Sequence, residues 1–233
     1  MINISSFNKN YGDFNLYIPS LHLEDGNIYA LIGKNGSGKT TFIKGITEQI
    51  SHEGTVEFDG IFLEDNREKV LSLIGYVGDQ LRFTQNMKVK DFINFSQSFY
   101  SNWNNKLCND LLKSLNLIHY LQKRISELSK GNLMKLSILI CLSHQPKYII
   151  LDEPTSGLDI AIREEVLNSL LIFKREDTVI LFSSHIIEDI EHIASHIILI
   201  NDGKIILNDK KDNILALNNG QTLKEITLKY ISE

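Results

Sequence analysis

Eight consecutive residues early in the chain combine the residue types and the spacing that a phosphate-binding loop requires. Three glycines, at positions 33, 36 and 38, are followed by a lysine and a threonine, which completes the pattern G-x-x-x-x-G-K-[ST]. Glycine lets the backbone turn tightly enough for several N–H groups to point at one phosphate group. The lysine ammonium then reaches the outer phosphates, and the threonine hydroxyl is a natural ligand for Mg²⁺. The candidate binding residues, with the next threonine included, are Gly33, Lys34, Asn35, Gly36, Ser37, Gly38, Lys39, Thr40 and Thr41.

The segments on either side of this loop favour a phosphate-binding role. Residues 28–32 form an apolar run typical of a buried strand, and residues 41–50 are typical of a helix. The N-terminus of such a helix adds the positive end of the helix dipole to the phosphate site. A glycine-rich turn without a ligand would also match the pattern, but the strand before it and the helix after it favour the binding loop. The sequence therefore predicts that the chain binds a nucleoside triphosphate.

A later apolar run ends in two carboxylates. Residues 148–151 are apolar, and Asp152 and Glu153 follow them directly. If this run is a strand of the same sheet, Asp152 lies beside the phosphate loop, where it can hold Mg²⁺ through water. Glu153 is then close enough to polarise an attacking water molecule, as a general base or as a positioning group. Many strands end in an acidic residue, so the pair is informative because the phosphate loop is also present.

Short apolar runs alternate with helical patterns along much of the chain, which predicts an α/β fold with a mainly parallel sheet covered by helices. The strands are predicted at residues 28–32, 55–58, 73–77, 148–151, 179–183, 197–200 and 205–207. An Asp-Gly pair between the last two predicts a tight hairpin. Further helices are predicted at residues 90–99, 106–117, 132–144 and 222–232. We interpret residues 83–144 as a helical subdomain inserted into a nucleotide-binding core formed by residues 1–82 and 145–233.

Composition and charge argue against several classes of protein. The 233 residues, of which 42% are hydrophobic and 23% charged, are typical of a soluble globular domain. A net charge of −5 argues against nucleic acid as the main partner, because binding to a phosphate backbone requires a basic surface. No uncharged apolar run reaches the roughly 18 residues of a membrane span, and the first residues lack a secretion signal. Cys108 and Cys141 lack metal-binding spacing and are predicted to be reduced, structural thiols.

Additional motifs give the chain a resemblance to the ATP-binding-cassette (ABC) ATPases. Leu128-Ser129-Lys130-Gly131-Asn132 resembles the L-S-G-G-Q signature of that family and opens a predicted helix, which makes it a second anion site. Thr155-Ser156-Gly157-Leu158-Asp159, called here the dimer-contact loop, resembles the loop through which the family's subunits meet. Ser183-Ser184-His185 resembles the family's switch histidine, and Tyr11 lies where the family places an aromatic ring against adenine. The resemblance extends over residues 3–210, with the motifs in the family's order.

The resemblance implies a fold, a mechanism and a set of site residues. The family fold adds an antiparallel β portion to the parallel sheet. ATP with Mg²⁺ would lie between the phosphate loop of one subunit and the signature of a second, identical or different, in a head-to-tail dimer. The implied catalytic residues are Lys39, Glu153 and His185, although a histidine after a strand is also a common loop residue. The other implied nucleotide contacts, besides the phosphate loop, are Tyr11, Ser129, Gly131, Asn132 and Asp159, and the implied metal-site residues are Thr40, Asp152, Asp79 and Gln80.

The chain departs from the family pattern at three positions. Lys130 replaces the third signature residue, usually glycine, and would be strained if the backbone there required a positive φ. Asn132 replaces glutamine with a shorter amide of the same chemistry. Asp79 stands where the family has a loop glutamine, and Gln80 follows it. Either side chain would be able to reach Mg²⁺ or the attacking water, and the sequence does not choose between them.

A chain with these motifs and no membrane-spanning segment resembles the separate ATPase subunit of a transporter. The implied partners are an integral-membrane permease subunit and a second ABC ATPase subunit. The implied location is cytoplasmic, peripheral on the inner face of the cell membrane. Asp79 and the segment 87–91 most resemble ATPase subunits of bacterial exporters for antibiotics and antimicrobial peptides, and residues 77–99 are the predicted docking surface. The alternatives are a soluble ABC-type ATPase of translation or DNA repair, and a P-loop kinase, which would leave the signature unexplained.

Overall fold

Two sheets and nine helices make up the described part of the fold. The computed structural model describes residues 1–81, 83–218 and 220–232. The strands are β1 (Ile2–Asn10), β2 (Asn15–Leu23), β3 (Ile28–Ile32), β4 (Glu53–Phe58), β5 (Ile61–Phe62), β6 (Ile74–Val77), β7 (Tyr148–Asp152), β8 (Val179–Ser183), β9 (His196–Asn201) and β10 (Lys204–Lys210). The helices are α1 (Lys39–Ile46), α2 (Arg67–Ser72), α3 (Val89–Gln97), α4 (Asn105–Ser114), α5 (Lys130–Ser143), α6 (Ile160–Phe173), α7 (Ile187–Ile193), α8 (Lys211–Leu217) and α9 (Leu223–Ser232).

The larger sheet has six strands in the order β10-β9-β3-β8-β7-β6. Every strand pair in it is parallel except β9 and β10, which are joined by the predicted Asp202-Gly203 turn. Strands β3, β7 and β8 are buried at every position, because helices or the second sheet cover both faces. The α/β fold class predicted from the alternating pattern is confirmed. Since the strands are parallel, the carboxyl ends of β3, β8 and β7 meet at one edge.

The smaller sheet is antiparallel, with the order β2-β1-β4-β5. Strands β1 and β2 were not predicted from apolar runs. Strand β2 alternates buried and exposed residues and contains Pro19. Alternation is typical of a sheet with one face on the core. That face packs against the larger sheet and α1 in a hydrophobic cluster that includes Phe7, Leu16, Leu31 and Phe42. The antiparallel portion implied by the family resemblance is thus present.

Residues 83–144 contain α3, α4 and α5, at the three places where helices were predicted in this segment. Their apolar side chains join those of the larger sheet in one cluster, which includes Val77, Leu111, Met134 and Leu151. The division into a core and a helical subdomain therefore remains a prediction about sequence segments. Arg82, at its boundary, lies outside the described residues.

Helices α1 and α4 end at residues 46 and 114, before the predicted ends at 50 and 117, and a left-handed residue follows each of them. Asn116 has a φ of 55°, and the N–H group of Leu117 donates to the carbonyl oxygen of Leu112 over 2.9 Å. Glu48, with a φ of 58°, ends α1 in the same way. This arrangement satisfies the last carbonyl groups of a helix and usually uses glycine, which is absent at both positions.

Within the described ranges, no helix is both long and apolar enough to cross a membrane.

Candidate active site

The phosphate loop connects the end of β3 to the start of α1. Gly36 and Gly38 have φ values of 82° and 111°, a backbone region that disfavours other residues. A side chain at Gly33 would overlap the carbonyl oxygen of Ile200 at the end of β9. The loop therefore requires its glycines both for its turns and for its close approach to the sheet. The hydroxyl oxygen of Ser37 is buried in the loop and has no hydrogen-bond partner.

The side chain of Lys39 folds back into the loop. It is 5% exposed, and its ammonium donates to the carbonyl oxygens of Gly33 and Lys34 over 2.8 and 3.1 Å. Burial lowers the pKa of Lys39, and the negative charges of Glu153 and Asp152 oppose this change. The amino group is thus held inside the loop that we expect to surround a phosphate group.

Asp152 lies at the end of β7, fully buried. Its Oδ1 atom accepts hydrogen bonds from the Thr40 hydroxyl over 3.2 Å and from the Ser183 hydroxyl over 2.7 Å. Its Oδ2 atom is buried and has no partner. Burial raises the pKa of Asp152, the two hydroxyl groups lower it, and the charges of Asp79 and Glu153 raise it further.

The unpartnered Asp152 oxygen fits the Mg²⁺ site expected from the sequence. A buried carboxylate oxygen without a partner is costly, and a cation would remove that cost. Protein sites for Mg²⁺ often use one or two carboxylates and leave the remaining positions to water and substrate phosphates. In the described part of the chain, no three His, Cys, Asp or Glu residues are grouped to hold a metal. Thr40 and Asp152 would therefore hold Mg²⁺ together with the phosphates of a bound nucleotide.

The two loop alternatives lie in different surroundings. The carboxylate of Asp79 is close enough to Asp152 to raise its pKa. Gln80 lines a groove of about 270 Å³ between the larger sheet and α3 and α5, together with Leu81 and Tyr100.

Glu153 has an unusual backbone conformation. Its φ of 48° lies in the left-handed region, which costs free energy for a residue other than glycine. Its N–H group donates to the Ser183 hydroxyl over 2.8 Å, and this hydroxyl donates in turn to Asp152. The Nδ1 atom of His185 lies 3.5 Å from the Glu153 carboxylate. The structure thus brings Asp152, Glu153 and His185 close together. It adds Ser183, to which the sequence assigned no role.

The dimer-contact loop is anchored at both ends. The Thr155 hydroxyl donates to the carboxylate of Asp189, which is 1% exposed and also lies 3.0 Å from the guanidinium of Arg163. Asp159 caps α6, because its Oδ1 atom accepts from the N–H group of Ile162 over 3.0 Å. The capping role is a sufficient reason for an aspartate at position 159, and it requires no contact with a nucleotide. Asp189 belongs to no sequence motif. Only its buried position beside Thr155 shows that it supports the dimer-contact loop.

The signature segment begins α5. Ser129 is its N-cap and accepts from the N–H group of Asn132 over 3.3 Å. Lys130 is already helical, so the strain considered for a positive φ does not arise. Gly131 is buried against α6, where an added Cβ atom would lie 2.5 Å from the Cδ1 atom of Ile162. The signature therefore lies beside the dimer-contact loop and α6 of its own chain.

Tyr11 lies in the turn between β1 and β2. Its ring is 54% exposed, and the Lys9 ammonium lies 5.2 Å from the ring centroid. Its N–H group donates to the carbonyl oxygen of Phe14, whose ring would lie 3.2 Å from a Cβ atom on Gly38. The turn that carries Tyr11 therefore contacts the phosphate loop through Phe14, an aromatic residue that the sequence pattern did not single out.

The chain is similar to known proteins in sequence and in fold. A profile of the ABC transporter family matches residues 16–156. The lantibiotic transport ATP-binding protein SrtF of Streptococcus pyogenes is 32% identical over 230 residues, covering 97% of this chain and 99% of SrtF. A solved ATP-binding subunit of an ABC transporter is 23% identical and covers 99% of both chains, with a TM-score of 0.89. The dimeric cassette MJ0796, bound to ADP and phosphate after hydrolysis, is 22% identical and covers 90% of this chain and 98% of its own, with a TM-score of 0.78. At these identities the solved structures are evidence for the fold.

The substitution Lys39→Ala is expected to lower Mg²⁺-dependent ATP hydrolysis by about 10²-fold or more, because it removes the ammonium held inside the phosphate loop. The measurement is phosphate release by the purified variant. Lys44→Ala, on the last turn of the same helix, is the control and should remain active. Wild-type turnover by a folded Lys39→Ala protein would show that the loop is not the site of hydrolysis.

Glu153→Gln is expected to bind ATP with wild-type affinity and to lose roughly 10²- to 10⁴-fold in turnover, since an amide cannot accept a proton from water. Nucleotide binding and single-turnover hydrolysis are measured separately, and the variant should accumulate as an ATP-bound dimer on size-exclusion chromatography. Glu164→Gln, an exposed change on α6, is the control. Unchanged hydrolysis by Glu153→Gln would transfer the role of base to Asp79 or His185.

Proposed function

This chain belongs to the ABC transporter family as an ATP-hydrolysing, ATP-binding subunit, and we propose that it drives a bacterial exporter through a separate membrane subunit. The observation that carries the proposal is the cluster at the ends of β3, β7 and β8. There, Lys39 lies in the phosphate loop, Thr40 and Asp152 share a hydrogen bond, and Glu153 lies beside them. The whole-length similarity to a lantibiotic transport protein supports the export role.

Hydrolysis in this site rests on positioning and charge. The Lys39 ammonium exchanges its two loop carbonyl oxygens for the outer phosphates when a nucleotide enters. Bound Mg²⁺ would supply charge neutralisation at the phosphates, and Thr40 and Asp152 would hold it. Of the two loop candidates, we assign the metal-side role to Asp79, because its charge acts on Asp152.

Glu153 acts as the base that takes a proton from the attacking water. The hydrogen bond from its N–H group to the Ser183 hydroxyl holds the backbone of Glu153 in place before a nucleotide binds. The Nδ1 atom of His185 lies 3.5 Å from this carboxylate, which supports our assignment of His185 to the γ-phosphate contact. Glu153 would therefore act on the attacking water, and His185 would act on the phosphate that the water attacks.

The site is completed in trans by a second ATPase subunit, identical or different. Ser129 caps the 14-residue helix α5 and is exposed, and Gly131 and Asn132 lie in its first turn, where Gly131 is buried and Asn132 is half-buried. A helix N-terminus favours negative charge, so it suits the γ-phosphate of a nucleotide held by the partner. Tyr11 would stack on the adenine ring in its own chain. ATP then holds the two subunits together, and hydrolysis lets them separate.

The membrane subunit docks on the segment 77–99, of which the structure describes residues 77–81 and 83–99. Leu81, Phe83 and Phe92 are partly buried around the groove of about 270 Å³, while Phe95 and Phe99 form an exposed aromatic pair with ring centroids 4.9 Å apart. Exposed apolar patches of this kind commonly mark interaction sites. Asp79 joins this surface to the nucleotide site, so docking and hydrolysis are linked by one short segment. The subunit would therefore work in the cytoplasm, peripheral on the inner face of the cell membrane.

Ser129→Arg is expected to leave ATP binding by the monomer unchanged and to prevent ATP-dependent dimerisation, because a bulky cation replaces the small cap that faces the partner's nucleotide. Dimers are counted by size-exclusion chromatography in the Glu153→Gln background, with a fluorescent ATP analogue reporting monomer binding. Ser126→Arg, an exposed change three residues earlier, is the control. Loss of ATP binding by the Ser129→Arg monomer would contradict the trans arrangement.

Charged substitutions at Leu81 or Phe83 are expected to reduce association with the membrane subunit while hydrolysis by the isolated subunit persists. The variants Leu81→Glu and Phe83→Glu are compared with Leu217→Glu, which changes an exposed apolar residue on α8. Association is measured as recovery of a multi-span protein from detergent-solubilised host membranes, and thermal unfolding checks the fold. Unchanged association, or unfolding of both variants, would place these residues in the core and the docking surface elsewhere.

A further inference from the structure

Lys130 makes a contact that the glycine usual in the signature cannot make. Its ammonium donates to the carbonyl oxygen of Ser156, in the dimer-contact loop, over 2.7 Å. A Cβ atom added to Gly157, the next residue of that loop, would lie 3.0 Å from the same ammonium. The lysine side chain therefore lies directly against the middle of the dimer-contact loop, and Gly157 leaves the space that it occupies.

The position of Lys130 in its helix makes this contact informative. It is the first residue of α5, where the helix dipole places partial positive charge and a cation is unfavourable. The Ser156 carbonyl oxygen offsets this repulsion, because hydrogen bonds from charged donors are stronger than neutral ones. A second contact joins α5 to α6, the helix that follows the dimer-contact loop, since Gly131 packs on Ile162. The starts of α5 and α6 thus form one unit, and Lys130 ties the loop to it.

This contact lies between groups that serve different nucleotides. Ser156 is three residues after Glu153, and its N–H group donates to the Glu153 carbonyl oxygen over 3.2 Å. Lys130 is next to Ser129, which caps α5 at the predicted contact with the partner's nucleotide. Two hydrogen bonds, from Lys130 to Ser156 and from Ser156 to Glu153, thus connect the signature segment to the backbone of Glu153.

We propose that Lys130 is a positioning residue that couples the two nucleotide sites of the dimer by holding the dimer-contact loop to the signature helix. The inference rests on the proposed function, because it requires a partner's nucleotide at the signature. Binding of that nucleotide restrains the start of α5. Through the Lys130–Ser156 hydrogen bond it also restrains the backbone of Glu153 in the same chain. Coupling of this kind makes hydrolysis cooperative in ATP.

The first measurement tests the contact itself, without nucleotide or dimer. Hydrogen exchange is followed at the amides of residues 155–158 in the wild type, Lys130→Met and Lys130→Arg. Loss of one charged hydrogen bond on an exposed loop is expected to speed exchange in Lys130→Met by roughly three- to tenfold. Lys130→Arg keeps a cationic donor and should restore slow exchange. Lys106→Met, which removes an exposed lysine at the start of α4, controls for the change in net charge.

The second measurement tests the consequence. The rate of ATP hydrolysis is measured against ATP concentration in the same four proteins, and the Hill coefficient is compared. ATP-dependent dimerisation itself makes the coefficient exceed 1, so the proposal requires a lower Hill coefficient in Lys130→Met than in the wild type, Lys130→Arg and Lys106→Met, measured at one protein concentration. ATP binding by the monomer should be equal in all four, because Lys130 does not line its own chain's phosphate loop.

Each other outcome overturns a specific part. Unchanged exchange in Lys130→Met removes the positioning role, and if cooperativity still falls, Lys130 instead contacts the partner's phosphate directly. Faster exchange with an unchanged Hill coefficient shows that the contact exists but does not couple the sites. Absence of ATP hydrolysis in the wild type would contradict the proposed function, whereas the exchange measurement would still decide the contact.

Discussion

The carboxylate of Asp152 joins three elements of the fold at one point. It ends β7, and its Oδ1 atom accepts hydrogen bonds from Thr40 on α1 and from Ser183 on β8. A buried carboxylate is costly unless hydrogen bonds or a cation compensate its charge. Two hydroxyl groups compensate one oxygen, and the other has no partner among the described residues. The fold thus joins the phosphate loop, the carboxylate pair and β8 at one point, and it leaves one buried acceptor that fits the Mg²⁺ we propose there.

The strain at Glu153 and the anchoring of the loop after it have a common cause. A left-handed glutamate persists only where its surroundings hold it, and here Ser183 holds its N–H group while Asp189 holds Thr155 two residues later. Asp189 is itself a buried charge, stabilised by Arg163 from α6. Removing one member of such a pair leaves the other charge buried and unpaired. The position of Glu153, which we propose as the base, therefore depends on Arg163 of α6 and Asp189 of α7.

Much of the fold follows from local patterns in the sequence. Strands β3, β7 and β8 are continuous apolar runs, because both faces of a parallel sheet are covered, and the chain shows this directly. Strand β2 was missed because its alternating pattern includes Pro19, and α6 was missed although Asp159 provides a capping residue before it. The ends of α1 and α4 were placed too late because Glu48 and Asn116 adopt left-handed conformations without glycine. Local propensity does not decide such ends, since tertiary packing selects the conformation.

The sequence by itself determined the phosphate loop, because its function depends on the backbone of residues adjacent in the chain. It also determined the carboxylate pair and the signature, each of which is a short segment at the end of a strand or the start of a helix. Only the tertiary structure decided which residues support them. Ser183 is 31 residues from Asp152, Asp189 is 34 from Thr155, and Lys130 is 26 from Ser156. These partners meet because the strand order places β8 between β3 and β7 and because α5 packs on α6. No local sequence pattern indicates either arrangement, since both depend on contacts between segments far apart in the chain.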